Sequence, residues 1–195
     1  NKDSMNSPLS FLCRLVLYDS KERGFIKQFV DEKFAAVLEI YLLAEDSSSA
    51  LVLESLALLS QLARFSKDYY EDINEIQPYT DLKRLIGHKD PAIRSRVLNL
   101  IGNLCRHTNY FYEIMQKYDL IKECIRLCED PDRSARKFAC VAVGNAGFHD
   151  SSLYEALRPA IPILGNLLKD TEEKTRSNAA AALGNFVRNS AQLDQ

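Results

Sequence analysis

One pattern returns three times along this chain of 195 residues. RSRVLNLIGNLCRH begins at Arg94, RKFACVAVGNAGFH at Arg136 and RSNAAAALGNFVRN at Arg176. Each copy reads arginine, seven residues, then Gly-Asn, and the pairs Gly102-Asn103, Gly144-Asn145 and Gly184-Asn185 are 42 and 40 residues apart. An acid stands four residues before each arginine: Asp90, Asp132 and Glu172. Stepping back 42 residues from Asn103 reaches Gln61, inside LLSQLARF, which parallels LIGNLCRH, so four units share one period. A period of about 40–47 residues in a helical chain predicts stacked helical repeats. Such a stack offers a long binding surface rather than a catalytic cleft.

Glycine and proline are sparse and no strand-like alternation persists, which predicts an all-α chain. The unit spanning 109–147 divides most clearly. A short helix is expected at 110–117, a medium one at 120–129, and a long one after Asp130-Pro131, where proline sets the first turn and aspartate caps it. Three helices per unit favour armadillo repeats over two-helix HEAT repeats. The scheme recurs at 68–76, 79–86 and 92–107, and again at 153–157, 161–168 and 174–189. Helices at 25–29, 33–44 and 49–65 complete a less regular first unit, its long helix capped by Ser47, Ser48 or Ser49. The expected fold is therefore an all-α, right-handed armadillo superhelix of about four three-helix repeats in a single domain over 1–195. The repeats run roughly 21–66, 67–108, 109–150 and 151–190. Residues 1–20 read as a remnant of a preceding repeat, 190–195 as the start of a following one, and the Asn1 start as a cut from something longer. Glycine inside a helix costs about 1 kcal/mol relative to alanine, so its return at one helical phase predicts close helix approach.

The net charge of -2 gives no push toward nucleic acid or an anionic membrane. The longest apolar run, 34–44, is broken by Glu39 and falls well short of the ~18 residues of a span. No secretory leader is visible. Five cysteines, an odd number, lie in apolar helical patterns, which predicts reduced, buried thiols in a cytoplasmic protein. Cys124 and Cys128 stand four apart, but no second pair completes a tetrahedral metal site, so they are expected in the core. Phosphate loops, kinase catalytic motifs, zinc-protease motifs and nucleophile elbows are missing. No catalytic residue, metal or cofactor is expected.

The candidate site is the concave side, lined by the long third helices. Asn103, Asn145 and Asn185, with Gln61 at the start, form a row with one amide per unit. An amide donates and accepts, so a row of them can hold an extended peptide, or each can bond a neighbouring helix. Arg64, Arg106 and Arg188 share that face, as do His107, Phe148, His149 and Asn189. Asn99, Val141 and Ala181 lie four positions before the row. The arginines make the groove mildly basic, which suits an acidic or phosphorylated segment, or they are simply solvated. His107 and His149 are 42 apart, a repeated structural place rather than a catalytic dyad. The pairs Asp90–Arg94, Asp132–Arg136 and Glu172–Arg176 are expected to be i,i+4 helix partners. Tyr69, Tyr70, Tyr110, Phe111 and Tyr112 are expected to pack between units.

These residues allow a comparison with known families. IGNLCRHTNYFYE (101–113), DPDRSARKFACVAVGNAGFHDSSLYEALRPAIP (130–162) and KTRSNAAAALGNFVRNS (174–190) resemble the C-terminal armadillo region of the Fused serine/threonine kinases. The resemblance covers about 68–193. It implies the non-catalytic part of a kinase, with roles in Hedgehog signalling, motile cilia or cytokinesis. It also implies a cytoskeletal or ciliary location and kinesin-family motors as partners. None of the kinase's ATP or magnesium residues has a counterpart here. Nuclear-import armadillo receptors pair each groove asparagine with a tryptophan four residues earlier. This chain has no tryptophan, which argues against recognition of nuclear signals. The alternatives left by the sequence are a self-associating or autoregulatory module of the kinase, and an adaptor unrelated to any kinase.

Overall fold

The computed structural model describes residues 47–190 without a break, together with Pro8, Phe11, Leu12, Arg14, Leu15, Gly24 and Gln28, which are helical. Of the expected helices at 25–29 and 33–44, only Gln28 is among the described residues. Among the described residues every regular element is a helix. A long helix α1 (Ser49–Phe65) and a 3-10 turn (Lys67–Tyr69) lead into three triplets. These are α2 (Tyr70–Glu75), α3 (Tyr79–Leu85) and α4 (Pro91–Leu104); α5 (Tyr112–Lys117), α6 (Leu120–Leu127) and α7 (Arg133–Ala146); and α8 (Tyr154–Leu157), α9 (Ala160–Leu167) and α10 (Glu173–Ser190).

Local chemistry sets the start of each long helix. Ser48 Oγ accepts the Leu51 N–H at 3.3 Å and caps α1. Asp90 accepts from Ala92 N at 2.8 Å with Pro91 in the first turn of α4. Asp132 accepts from Ala135 N at 2.8 Å and caps α7. The third long helix thus starts two residues later than the sequence suggests, and Asp130 is not its cap. Each cap satisfies one of the amide groups that a helix start leaves without a partner.

The junction between the first two helices of a triplet uses a left-handed residue twice. Gln77 (φ 49°) and Asp119 (φ 53°) occupy equivalent places 42 residues apart. At the third junction Pro159 has φ -63°, because its ring forbids the positive value.

The long helices pack side by side in the order α1, α4, α7, α10. They leave a continuous core that includes Leu58, Leu98, Leu100 and Cys140, none of them accessible to solvent. Rings bridge neighbouring units: Tyr70 lies 4.9 Å from Phe111, and both are buried. Tyr110, by contrast, is 44% exposed, so only part of the aromatic group packs as expected. Cys105, Cys124, Cys128 and Cys140 are buried free thiols, and burial pushes Cys105 up to about 12.

A tyrosine bolt repeats inside each triplet. Tyr70 Oη donates to Asn103 O at 2.8 Å, Tyr112 Oη to Asn145 O at 2.9 Å, and Tyr154 Oη to Phe186 O at 2.8 Å. Each fastens the first helix to a backbone carbonyl near the C-terminal end of the third. Removing the Tyr112 hydroxyl leaves the Asn145 carbonyl without this donor. Tyr112→Phe is expected to lose about 1 kcal/mol, read as a lower urea midpoint with unchanged far-ultraviolet circular dichroism.

Candidate functional site

The four long helices present four rows, one residue from each helix or the turn after it. Gln61, Asn103, Asn145 and Asn185 form the central row, with Ala57, Asn99, Val141 and Ala181 one turn before it. Arg64, Arg106, Phe148 and Arg188 lie one turn after it, and Glu54, Arg96, Phe138 and Asn178 two turns before it. Spacings of three, four and seven residues share one helix face; Arg106 and Phe148 lie past the ends of α4 and α7, in the turns that follow.

The asparagines bind the stack together. Asn145 Nδ2 donates to Gly102 O at 2.7 Å and Asn185 Nδ2 to Gly144 O at 2.9 Å, each reaching the preceding long helix. Asn103 Nδ2 lies 2.8 Å from Ser60 Oγ and 3.3 Å from Ser60 O, and Asn99 Nδ2 reaches the same hydroxyl at 2.9 Å. Asn103 is only 6% exposed, so it cannot serve as an open rung of a ligand ladder. Asn145 and Asn185 remain half-buried, with an amide oxygen and a second N–H beyond the inter-unit bond. Ser60 sits one residue before Gln61, where neither period nor motif marks it as the partner of two asparagines.

The histidines belong to the same framework. His107 Nε2 meets Arg64 O at 2.9 Å and His149 Nε2 meets Arg106 O at 3.1 Å, each donating across a unit boundary. Their 42-residue spacing marks a repeated structural contact, as read from the sequence.

The expected i,i+4 acid–arginine pairs do not form; Arg94 and Arg136 reach the next unit instead, and Arg176 holds backbone carbonyls of its own. Arg94 forks onto Asp130 through Nε and Nη2, both at 2.8 Å, and its Nη1 holds His88 O and Lys89 O. Arg136 forks onto Asp170 at 2.7 and 3.3 Å while its Nη1 holds Asp130 O and Pro131 O. Arg176 Nη1 holds Asp170 O and Thr171 O. Asp90 and Asp132 act as caps, so their carboxylates face backbone N–H groups and not the arginine one turn later. The Arg136 fork holds Asp170 below the usual carboxylate range. For Asp130, burial pushes upward, but the Arg94 fork, the Asp132 N–H and the nearby positive charges together outweigh it, and the net shift is also downward.

The exposed part of the face carries positive charge. Arg64, Arg96, Arg106 and Arg188 are exposed, and among the described residues no carboxylate pairs with them. Arg188 stacks 4.4 Å over the Phe148 ring, and Lys137 Nζ lies 4.3 Å over Phe138. Both are cation–π contacts that hold a cation in place while leaving it solvated. The Arg96 row is a signal that the sequence reading missed, though it lies a simple seven residues before the asparagine row.

Side-by-side long helices, three of which close a three-helix unit among the described residues, decide the architecture. The fold is an armadillo superhelix. Residues 157–188 match the Armadillo/beta-catenin-like repeat family. A designed armadillo repeat protein superimposes with a TM-score of 0.86 at 18% identity, covering 97% of this chain and 78% of its own. A designed armadillo repeat protein in complex with the peptide (KR)4 gives a TM-score of 0.76 at 19% identity, over 91% of this chain and 81% of its own. The chain is also similar to Serine/threonine-protein kinase TIO of Arabidopsis thaliana, 56% identical over 153 residues. That match covers 78% of this chain and 12% of the kinase, so the chain spans a small part of that relative's length. The kinase resemblance read from IGNLCRHTNYFYE and the two segments after it stands on this match. No helix among the described residues is long and apolar enough to cross a membrane.

Proposed function

We propose that this chain is a non-catalytic protein-interaction scaffold, one armadillo domain of about four repeats, that docks a segment of a partner along its long-helix face. The observation that carries the reading is the row architecture itself. Exposed arginines recur on one face, Arg64 from α1, Arg96 and Arg106 from α4 and the turn after it, and Arg188 from α10, while the asparagines of the same face bond unit to unit. Likeness to a serine/threonine kinase supports a place in the regulatory part of such a kinase. The Fused resemblance adds kinesin-family motors, cilia or the dividing cell as the setting, in the cytoplasm or on the cytoskeleton.

Alanine at the asparagines would loosen the stack as well as the groove, so the test uses an exposed position free of inter-unit bonds. Ala181→Trp fills the groove on α10, where residue 181 is exposed. Wild-type and variant chains serve as baits in source-cell extract, read by mass spectrometry after circular dichroism confirms folding. A motor, cytoskeletal or signalling protein held by wild type and lost by the variant is expected. Equal capture by both moves the binding site to another face.

The exposed apolar residues of the last unit favour a second reading, self-association. Val187 is 72% exposed, Ile161 47% and Leu168 43%. Sedimentation of the chain at high concentration separates the two: a monomer throughout excludes this reading.

A further inference from the structure

The acids of this chain are segregated away from the long helices. Helices α4 and α7 contain no acid at all; their charged residues are Arg94, Arg96, Arg133, Arg136 and Lys137. Helix α10 adds Lys174, Arg176 and Arg188 against Glu173, and α1 adds Arg64 against Glu54. Yet the chain as a whole carries -2. Among the described residues the balancing carboxylates lie in the turns between helices, as with Asp90, Asp130, Asp132 and Asp170, and on the first and second helices, as with Glu71, Asp72, Asp81, Glu113, Glu123 and Glu155.

Ion pairing sharpens the asymmetry. Arg94, Arg136 and Arg133 are matched by Asp130, Asp170 and Glu172 at the unit boundaries. What remains on the open face is Arg64, Arg96, Arg106 and Arg188, with Lys137 held over Phe138. The acid on the same rows is Glu54, at the first unit. Neighbouring helices pack about 8–10 Å apart, so Arg64 on α1 and Arg106 after α4 are close, while Arg188 on α10 stands two helices away and the cations are spread along the face as an extended segment would meet them.

We infer that the groove takes an acidic, extended protein segment, rich in Asp and Glu, whose carboxylates meet Arg96, Arg106 and Arg188. The inference rests on the groove reading above and adds the chemistry of the occupant. Guanidinium groups bind carboxylates bidentately, and the half-buried Asn145 and Asn185 amides lie between the arginine rows, within reach of backbone groups. The polarity is opposite to that of the peptide (KR)4 bound by the designed armadillo protein.

The test is fluorescence anisotropy of the whole chain with three labelled eight-residue peptides: alternating Asp and Glu, (KR)4, and a neutral Gly/Ser peptide. A short oligothymidylate is the polyanion control. The variants are Arg96→Glu/Arg106→Glu, and Lys122→Glu on the exposed side of α6 as a charge-change control. The acidic peptide is expected to bind wild type and Lys122→Glu alike. It should lose at least about tenfold in the double variant and weaken with salt. The double variant should gain affinity for (KR)4. Stronger wild-type binding of (KR)4 overturns the inference, and so does equal weakening by Lys122→Glu or oligothymidylate binding as tight as that of the peptide. If Ala181→Trp abolishes partner capture but no acidic peptide binds, the groove stands and its acidic preference falls. If the acidic peptide binds and Ala181→Trp leaves capture intact, the partner uses another face.

Discussion

Replacing Asp170 by alanine is expected to destabilise the chain by about 3 kcal/mol or more, the range for breaking a largely buried ion pair. The carboxylate side chain is 7% exposed and the Arg136 guanidinium 17%, so the stranded cation has little water to turn to. The Glu172 N–H would lose its acceptor at 2.8 Å as well. Urea unfolding reads the loss, and hydrogen exchange should place it at the boundary of α7 and α10. Arg136→Met with Asp170→Leu, which removes both charges, should fall much closer to wild type; a double variant as weak as Asp170→Ala would show that the pair itself is not the source. The pH dependence follows from the downward shift of Asp170 and Asp130. A depressed carboxylate contributes in full above its unfolded value of about 3.9 and loses that contribution as pH falls through the lower folded value. The gap between wild type and Asp170→Ala should hold from pH 7 to about pH 5 and close progressively below pH 4. A gap that stayed constant to pH 2 would assign the loss to packing.

Gly144→Leu is the second large effect. A Cβ at Gly144 would lie 3.0 Å from both Cα and Cβ of Ala182, and backbone cannot move aside as a flexible side chain can. Leucine there should wedge α10 off α7 and lose about 3 kcal/mol, with α10 amides exchanging first. Gly184 occupies the same phase on α10 but has nothing within 4 Å of its Cβ position. Gly184→Ala should therefore stabilise the chain by about 0.5–1 kcal/mol through helix propensity. Opposite signs at two glycines of one motif would show that contact, not sequence, decides the effect; equal signs would refute that.

The period, the helix count and the long-helix layer could be read from the sequence, because apolar spacing and caps are local properties. Helix α1 begins and ends at the expected residues, 49 and 65. What could not be read is the choice between partners at equal reach. Arg94 has Asp90 one turn away, but Asp90 is engaged by Ala92 N, and the guanidinium swings across the boundary to Asp130. The same competition places Asn103 beneath the surface, since Ser60 on the neighbouring helix offers two acceptors to its amide. The tyrosine bolt could have been found: Tyr70, Tyr112 and Tyr154 follow the 42-residue step, and only their neighbouring aromatics hid it.

The arginine forks also impose an order on units that otherwise look alike. Each boundary asks for a carboxylate two residues ahead of the long helix's capping acid, and Asp130 and Asp170 supply it to Arg94 and Arg136. The equivalent residue of the earlier unit is His88, whose Nδ1 accepts from Asp90 N, and the preceding long helix has Val52 where the arginine would stand. Histidine is thus permitted only at the boundary that makes no demand for a counter-charge. A chain that slipped by one whole unit during folding would set Arg94 or Arg136 against an imidazole and leave an aspartate facing valine. Repeats this similar invite such mispairing, and the boundary charges act as an address that admits one sequence of neighbours.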